Sequence, residues 1–188
     1  MTRIEYKQIR EFGRYDGLII GILWMLYFAF FMWGLKEQNG LLILLSELTT
    51  IASPFLVWRR CIRFRDKVME GNMSFSRSYL YAFLIFWHAA LIIAAVLFVY
   101  FAFLDHGSFI LTLNQMASDP EIANQKMVDM NSFRQFIDLL SQFTPVQHAY
   151  LSWMEIVLLS FPVSLPIAFF TMKQNKQAEN ETNHSQEN

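Results

Sequence analysis

Residues 79–104 read YLYAFLIFWHAALIIAAVLFVYFAFL, a run of 26 residues with no formal charge and one histidine, His88. A hydrocarbon core about 30 Å thick is crossed by about 20 helical residues at about 1.5 Å each, so this run is long enough to span a bilayer. A helix is the form it must take, because lipid offers no partner to open backbone groups. Three more runs share its character. Residues 17–35 carry no charge, residues 41–58 carry only Glu47, and residues 149–172 carry only Glu155. The chain of 188 residues is 54% hydrophobic and 16% charged, against roughly 25% charged in soluble domains, which excludes disorder and most water-soluble folds. The fold class expected is therefore an all-α membrane protein with four transmembrane helices. The first run follows a long polar leader, and no small-x-small pattern comes after it, so it reads as a span and not as a cleaved signal.

Orientation follows from lysine and arginine. The leader 1–16 holds Arg3, Lys7, Arg10 and Arg14. The loop 59–78 holds Arg59, Arg60, Arg63, Arg65, Lys67 and Arg77, and the tail 173–188 holds Lys173 and Lys176. Only Lys36, Lys126 and Arg134 fall on the other side. The positive-inside rule then places the N and C termini and the loop 59–78 in the cytoplasm, and the loop 105–148 in the periplasm. The short link after residue 35 folds the first two spans into an antiparallel hairpin. The tail, poor in aromatics and rich in Asn, Gln, Glu and Ser, is expected to be disordered.

The connector after residue 58 reads as a helical continuation of span two that stops at Gly71-Asn72, with the Ser74 hydroxyl capping span three. Its cations Arg59, Arg60, Arg63, Arg65 and Lys67 mark a surface for anionic lipid headgroups or a partner, as well as a plain topology signal. In the periplasmic loop, Ser118-Asp119-Pro120-Glu121 reads as a helix start. Apolar residues then recur at helical spacing through Met127, Met130, Phe133 and Ile137, opposite a polar face with Arg134 and Asp138 four apart. This amphipathic periplasmic helix of about 24 residues, ended by Pro145, is expected to dock on the bundle or on a partner through Met127, Met130, Phe133 and Ile137. Met116, Met127, Met130, His106 and His148 are soft ligands suited to copper, but methionine at helical spacing is also a core filler, and packing is the reading taken. No metal and no cofactor are expected. Cys61, the sole cysteine, excludes an internal disulfide framework and reads as a bystander. The net charge of −1 argues against nucleic acid as a partner.

Ionisable groups inside the spans carry most of the mechanistic information, because burying a charge at helix centre costs ~2.5 kcal/mol or more. Glu47 and Glu155 fall at similar height, roughly 10 Å below the outer ends of their spans, and His88 falls near the midplane. Ser46, Thr49, Thr50 and Ser53 make a polar stripe beside Glu47. Span four carries Ser152, Ser160 and Ser164 with Pro162 and Pro166, which free backbone carbonyls. Glu47, Thr50, His88 and Glu155 thus form a candidate intramembrane polar site. It serves either as interhelical glue or as a site for a proton or cationic substrate. Neither HExxH, a paired CxxC, a glycine-rich phosphate loop nor a GxSxG elbow is present, so no enzyme is expected.

Phe64-Arg65, Gly71, Ser74-Phe75 and Tyr79, with Gly17 to Gly21 opening span one, resemble the F-R…G…S-F…Y pattern of a family of small four-span membrane proteins. That family, found mainly in Bacteroidota, carries only the label domain of unknown function four-one-nine-nine. The resemblance covers roughly residues 10–172. It implies a bacterial inner-membrane location and, through members encoded near membrane glycosyltransferases, an accessory subunit of such an enzyme. It implies no reaction, and the glutamates of spans two and four match no family signature. The function expected is a non-catalytic inner-membrane subunit or scaffold that binds a protein or lipid partner, or pairs as a homodimer. The alternative is a small proton-linked carrier working through the intramembrane carboxylates.

Overall fold

The computed structural model describes residues 3–119 and 129–173. Among these the chain forms six helices and no strand: α1 (Arg3–Lys36), α2 (Gly40–Lys67), α3 (Phe75–Val99), α4 (Ser108–Ser118), α5 (Met130–Ser141) and α6 (Pro145–Thr171). Helices α1, α2, α3 with its extension to Leu104, and α6 are long and apolar enough to cross a membrane, and the chain is a multi-pass membrane protein. Large apolar side chains on their outward faces agree, among them Phe55 (65% exposed) and Phe170 (69% exposed). Such a surface is tolerable in lipid and not in water. Met127 and the tail beyond residue 173 lie outside the described residues.

Helix α3 is the hub. It packs along α1 on one side and along α6 on the other, α2 lies along α1, and α2 meets α6 and α3 only lightly. The α1–α3 seam is built from small residues. A Cβ on Gly17 would come within 2.6 Å of the His88 Cβ and 2.9 Å of the Ile85 carbonyl oxygen, and one on Gly21 within 2.6 Å of Ile92. Glycines four apart therefore let the two backbones close to a distance that larger residues forbid. The Asn39 side chain caps α2 by accepting from the Leu41 (3.0 Å) and Leu42 (3.4 Å) amides.

The helix ends correct several sequence expectations. Helix α2 does continue through the basic connector, stopping at Lys67, with Gly71 at φ +77° in the turn that follows. Ser74 takes the N-cap position of α3, but its hydroxyl makes no capping bond. The expected single helix through the outer loop is broken at Asp129, whose extended backbone (φ −76°, ψ 103°) starts α5. The Ser132 hydroxyl (2.7 Å) and the Asn131 amide (3.1 Å) donate to that carboxylate and hold it below the usual carboxylate range. Ser118 is the last residue of α4, and Pro120-Glu121 of the expected helix start lie outside the described residues. Pro145 starts α6, behind a capping box of Thr144 and Gln147, several residues before the apolar run. Arg134 donates to the Ala117 carbonyl across to α4 (3.4 Å) instead of pairing with Asp138.

Helix α4 has a clear local cause. At the end of α3 the backbone widens into a π-helical turn, Tyr100–Leu104, in which the Asp105 amide reaches the Tyr100 carbonyl five residues back (2.9 Å). Gly107 then takes a left-handed conformation (φ +82°). The buried Asp105 carboxylate accepts from the Gly107 amide (3.0 Å), the Ser108 hydroxyl (3.0 Å) and the Phe109 amide (2.9 Å). Those bonds satisfy donors that the first turn of α4 would otherwise leave open.

Candidate functional site

The four long helices do not close completely. A cavity of about 650 Å³ lies among α1, α2, α3 and α6, and Phe109 and Leu113 of α4 with Phe136 and Leu140 of α5 line its loop end. That volume falls within the ~300–1,000 Å³ typical of small-ligand sites. One wall is an aromatic face of α1. Trp24, Tyr27, Phe28 and Phe31 are spaced i, i+3, i+4 and i+7, so all four project the same way, and all line the cavity. Thr50 and Ser53 of α2 and Ser152 and Glu155 of α6 supply polar groups. The cavity lies where α2 and α6 meet only lightly, and these two helices join at the opposite end through the Arg65 guanidinium, which donates to the Thr171 carbonyl (3.1 Å).

The structure divides the expected intramembrane site. Thr50 and Glu155 line the cavity, and so does Tyr27 of α1. Glu47 and Glu155 are both exposed, but only Glu155 lines the cavity. His88 is elsewhere. It lines a separate shallow pocket with Glu11, Arg14 and Tyr15, and its Nδ1 lies 2.6 Å from the Leu84 carbonyl oxygen. The polar stripe of α2 is largely spent on its own backbone. Ser46 donates to the Ile43 carbonyl (2.6 Å), Thr49 to Leu45 (3.0 Å) and Ser53 to Thr50 (2.6 Å).

The expected outer docking face is corrected. Ile137 is 1% exposed, and Met130 and Phe133 pack with it against Leu113 and Ala117 of α4. An amphipathic helix buries its apolar face wherever one is offered, and α4, which the sequence reading missed, offers one. The basic connector is split as well. Arg59, Arg63 and Lys67 are exposed, whereas Arg60 and Arg65 turn inward. Arg65 pairs with Asp66 (2.7 Å) besides its bond to Thr171.

Arg60 completes a buried network. The Asp16 carboxylate of α1 accepts from the Tyr81 hydroxyl of α3 (2.6 Å) and the Arg60 guanidinium of α2 (3.1 Å). Tyr81 is fully buried and stacks on Phe64 with ring centroids 4.0 Å apart, and the free thiol of Cys61 is buried in the same cluster. Three helices are therefore tied by one carboxylate at the end bearing the basic connector. Among the described residues no group of three His, Cys, Asp or Glu side chains converges as a metal site would require.

The sequence profile of a family described as protein of unknown function, DUF4199, matches residues 15–173. No curated protein and no solved structure matches the chain.

Proposed function

Since the chain belongs to the DUF4199 family, whose description carries no activity, its function rests on the cavity, and we propose that it is a non-catalytic integral membrane subunit that holds a lipid chain between its helices. The observation that carries this is a cavity of about 650 Å³ with aromatic and aliphatic walls, set within the bilayer-crossing part of the bundle beside a weak helix contact. A void of that size lined by apolar groups forfeits packing energy unless something apolar fills it. Lipid supplies the filler, and the few polar groups Thr50, Ser152 and Glu155 would fix the position of its polar end.

In this proposal the membrane is the bacterial inner membrane, both termini are cytoplasmic, and α4 and α5 lie on the periplasmic side. The twelve-to-three bias of lysine and arginine supports that orientation. Arg59, Arg63 and Lys67, exposed at the cytoplasmic end, would add contact with anionic headgroups at about 1 kcal/mol each. A membrane glycosyltransferase, the class suggested by the family resemblance, is the first protein partner to seek. The carrier reading is weaker here, because His88 lies apart from the two glutamates.

The test is native mass spectrometry of the full chain released from lipid nanodiscs. We expect one lipid to stay bound to the wild-type protein, and the Ser152→Trp variant, which places an indole in the cavity beside Glu155, to lose most of that adduct while keeping its helicity and elution volume. Equal lipid retention by both proteins would contradict the proposal.

A further inference from the structure

We infer that the occupant of this cavity is a cationic amphiphile, a single hydrocarbon chain ending in an amine or quaternary ammonium group, with Glu155 as its counter-ion. The inference rests on the lipid-binding reading above and names the headgroup chemistry that reading leaves open. Three observations carry it. First, no lysine or arginine lines the cavity, and its one imidazole, His148, stacks on Phe101 with ring centroids 4.3 Å apart, so an anionic headgroup would find no permanent cation there. Second, Glu155 lines the cavity ten residues into α6 and makes no ion pair among the described residues. At about 1.5 Å per residue it lies about 15 Å along the helix from Pro145, at a depth where an unpaired carboxylate is costly. Third, the wall supplied by α1 is aromatic. Trp24, Tyr27, Phe28 and Phe31 present ring surface to the cavity, and the faces of such rings attract ammonium groups. A cation held between that wall and Glu155 would be bound by charge and ring quadrupole together, with its chain filling the apolar remainder.

Neutral amphiphiles satisfy the walls but leave Glu155 unpaired. Zwitterionic lipids bring a phosphate for which the cavity offers hydroxyls and the His148 ring but no lysine or arginine. A single-chain cation pairs Glu155 and brings no negative group of its own that lacks a cationic partner.

The experiment uses the full chain in nanodiscs and two photoreactive probes with the same diazirine-bearing alkyl chain, one ending in trimethylammonium and one in a hydroxyl. Labelled peptides are mapped by mass spectrometry. The ammonium probe is expected to label the α1 segment around Trp24 to Phe31 with a half-saturation concentration at least tenfold below that of the alcohol. Glu155→Gln is expected to erase that difference by raising the half-saturation concentration of the ammonium probe to that of the alcohol, with unchanged helicity and elution volume showing that the variant is folded. Glu155→Asp is expected to keep part of the preference. Equal labelling by the two probes in the wild type, or a preference that survives Glu155→Gln, overturns the headgroup inference and leaves the lipid-binding reading standing. Failure of both probes to label that segment overturns the two together.

Discussion

Gly17→Leu is expected to separate α1 from α3 and to prevent recovery of a monodisperse protein. Even Gly17→Ala should lower stability by about 1–3 kcal/mol, the usual range for overpacking a close contact. The reason is the 2.9 Å between the added Cβ and the Ile85 carbonyl oxygen, a backbone atom held in its helix, together with 2.6 Å to the His88 Cβ. Neither neighbour is the free end of a flexible chain. The other glycines grade the effect. Gly21 would meet Ile92, whose Cδ1 at 2.6 Å can turn away but whose Cβ at 2.9 Å cannot, though no backbone carbonyl crowds it; Gly13 would meet Leu84 at 3.2 Å, and Gly40 would meet nothing within 4 Å. Thermal unfolding in one detergent should therefore rank alanine variants as Gly17 least stable, then Gly21, then Gly13, with Gly40→Ala unchanged or slightly more stable. Equal melting for Gly17→Ala and Gly40→Ala would remove the α1–α3 seam from the account.

Asp16→Ala should cost about 2–4 kcal/mol. Breaking a fully buried charged pair costs about 3–5 kcal/mol, and the figure is lower here because the Arg60 side chain keeps 26% of its exposure. The substitution leaves the Tyr81 hydroxyl, fully buried, without an acceptor and Arg60 without its counter-ion. Asp16→Asn should be milder, since an amide oxygen still accepts from Tyr81. Adding Arg60→Leu to Asp16→Ala should restore part of the loss, because the stranded charge goes with it. The same variants measured at the lipid-binding cavity should bind as the wild type does, since the network stands apart from that cavity's lining. If Asp16→Ala melts with the wild type, the three-helix tie contributes nothing.

Much of the architecture is written in runs of apolar residues. Each of the four long helices contains one stretch too greasy for water, α1 also taking in the polar leader from Arg3 and α2 running on through the connector to Lys67. What hydropathy could not show is direction within a helix. Trp24, Tyr27, Phe28 and Phe31 vanish into a uniformly apolar run, although their spacing alone puts them on one face. Asp16 read as the last polar residue of a leader, because a charge at the edge of a run looks like its boundary. Its partners Arg60 and Tyr81 lie 44 and 65 positions away, beyond any local pattern. Helix α4 was hidden for a different reason. Its cap, Asp105 with Gly107 and Ser108, begins directly beneath an apolar span and looks like the span's end. Once α4 exists, Met130, Phe133 and Ile137 have an intramolecular place to go, and the face expected to dock on the bundle or on a partner packs within the chain. Glu155 is legible in the sequence as a charge where lipid should be, and the structure adds an aromatic wall to the cavity it lines.

The most direct measurement is an electron cryo-microscopy reconstruction of the full chain in lipid nanodiscs, enlarged by a rigid antibody fragment bound to α5. The account predicts a tubular density inside the bundle, running between α2 and α6 and ending within hydrogen-bond reach of Glu155. A bundle in which α2 and α6 pack side by side and Trp24 and Phe28 fill the space themselves would contradict it.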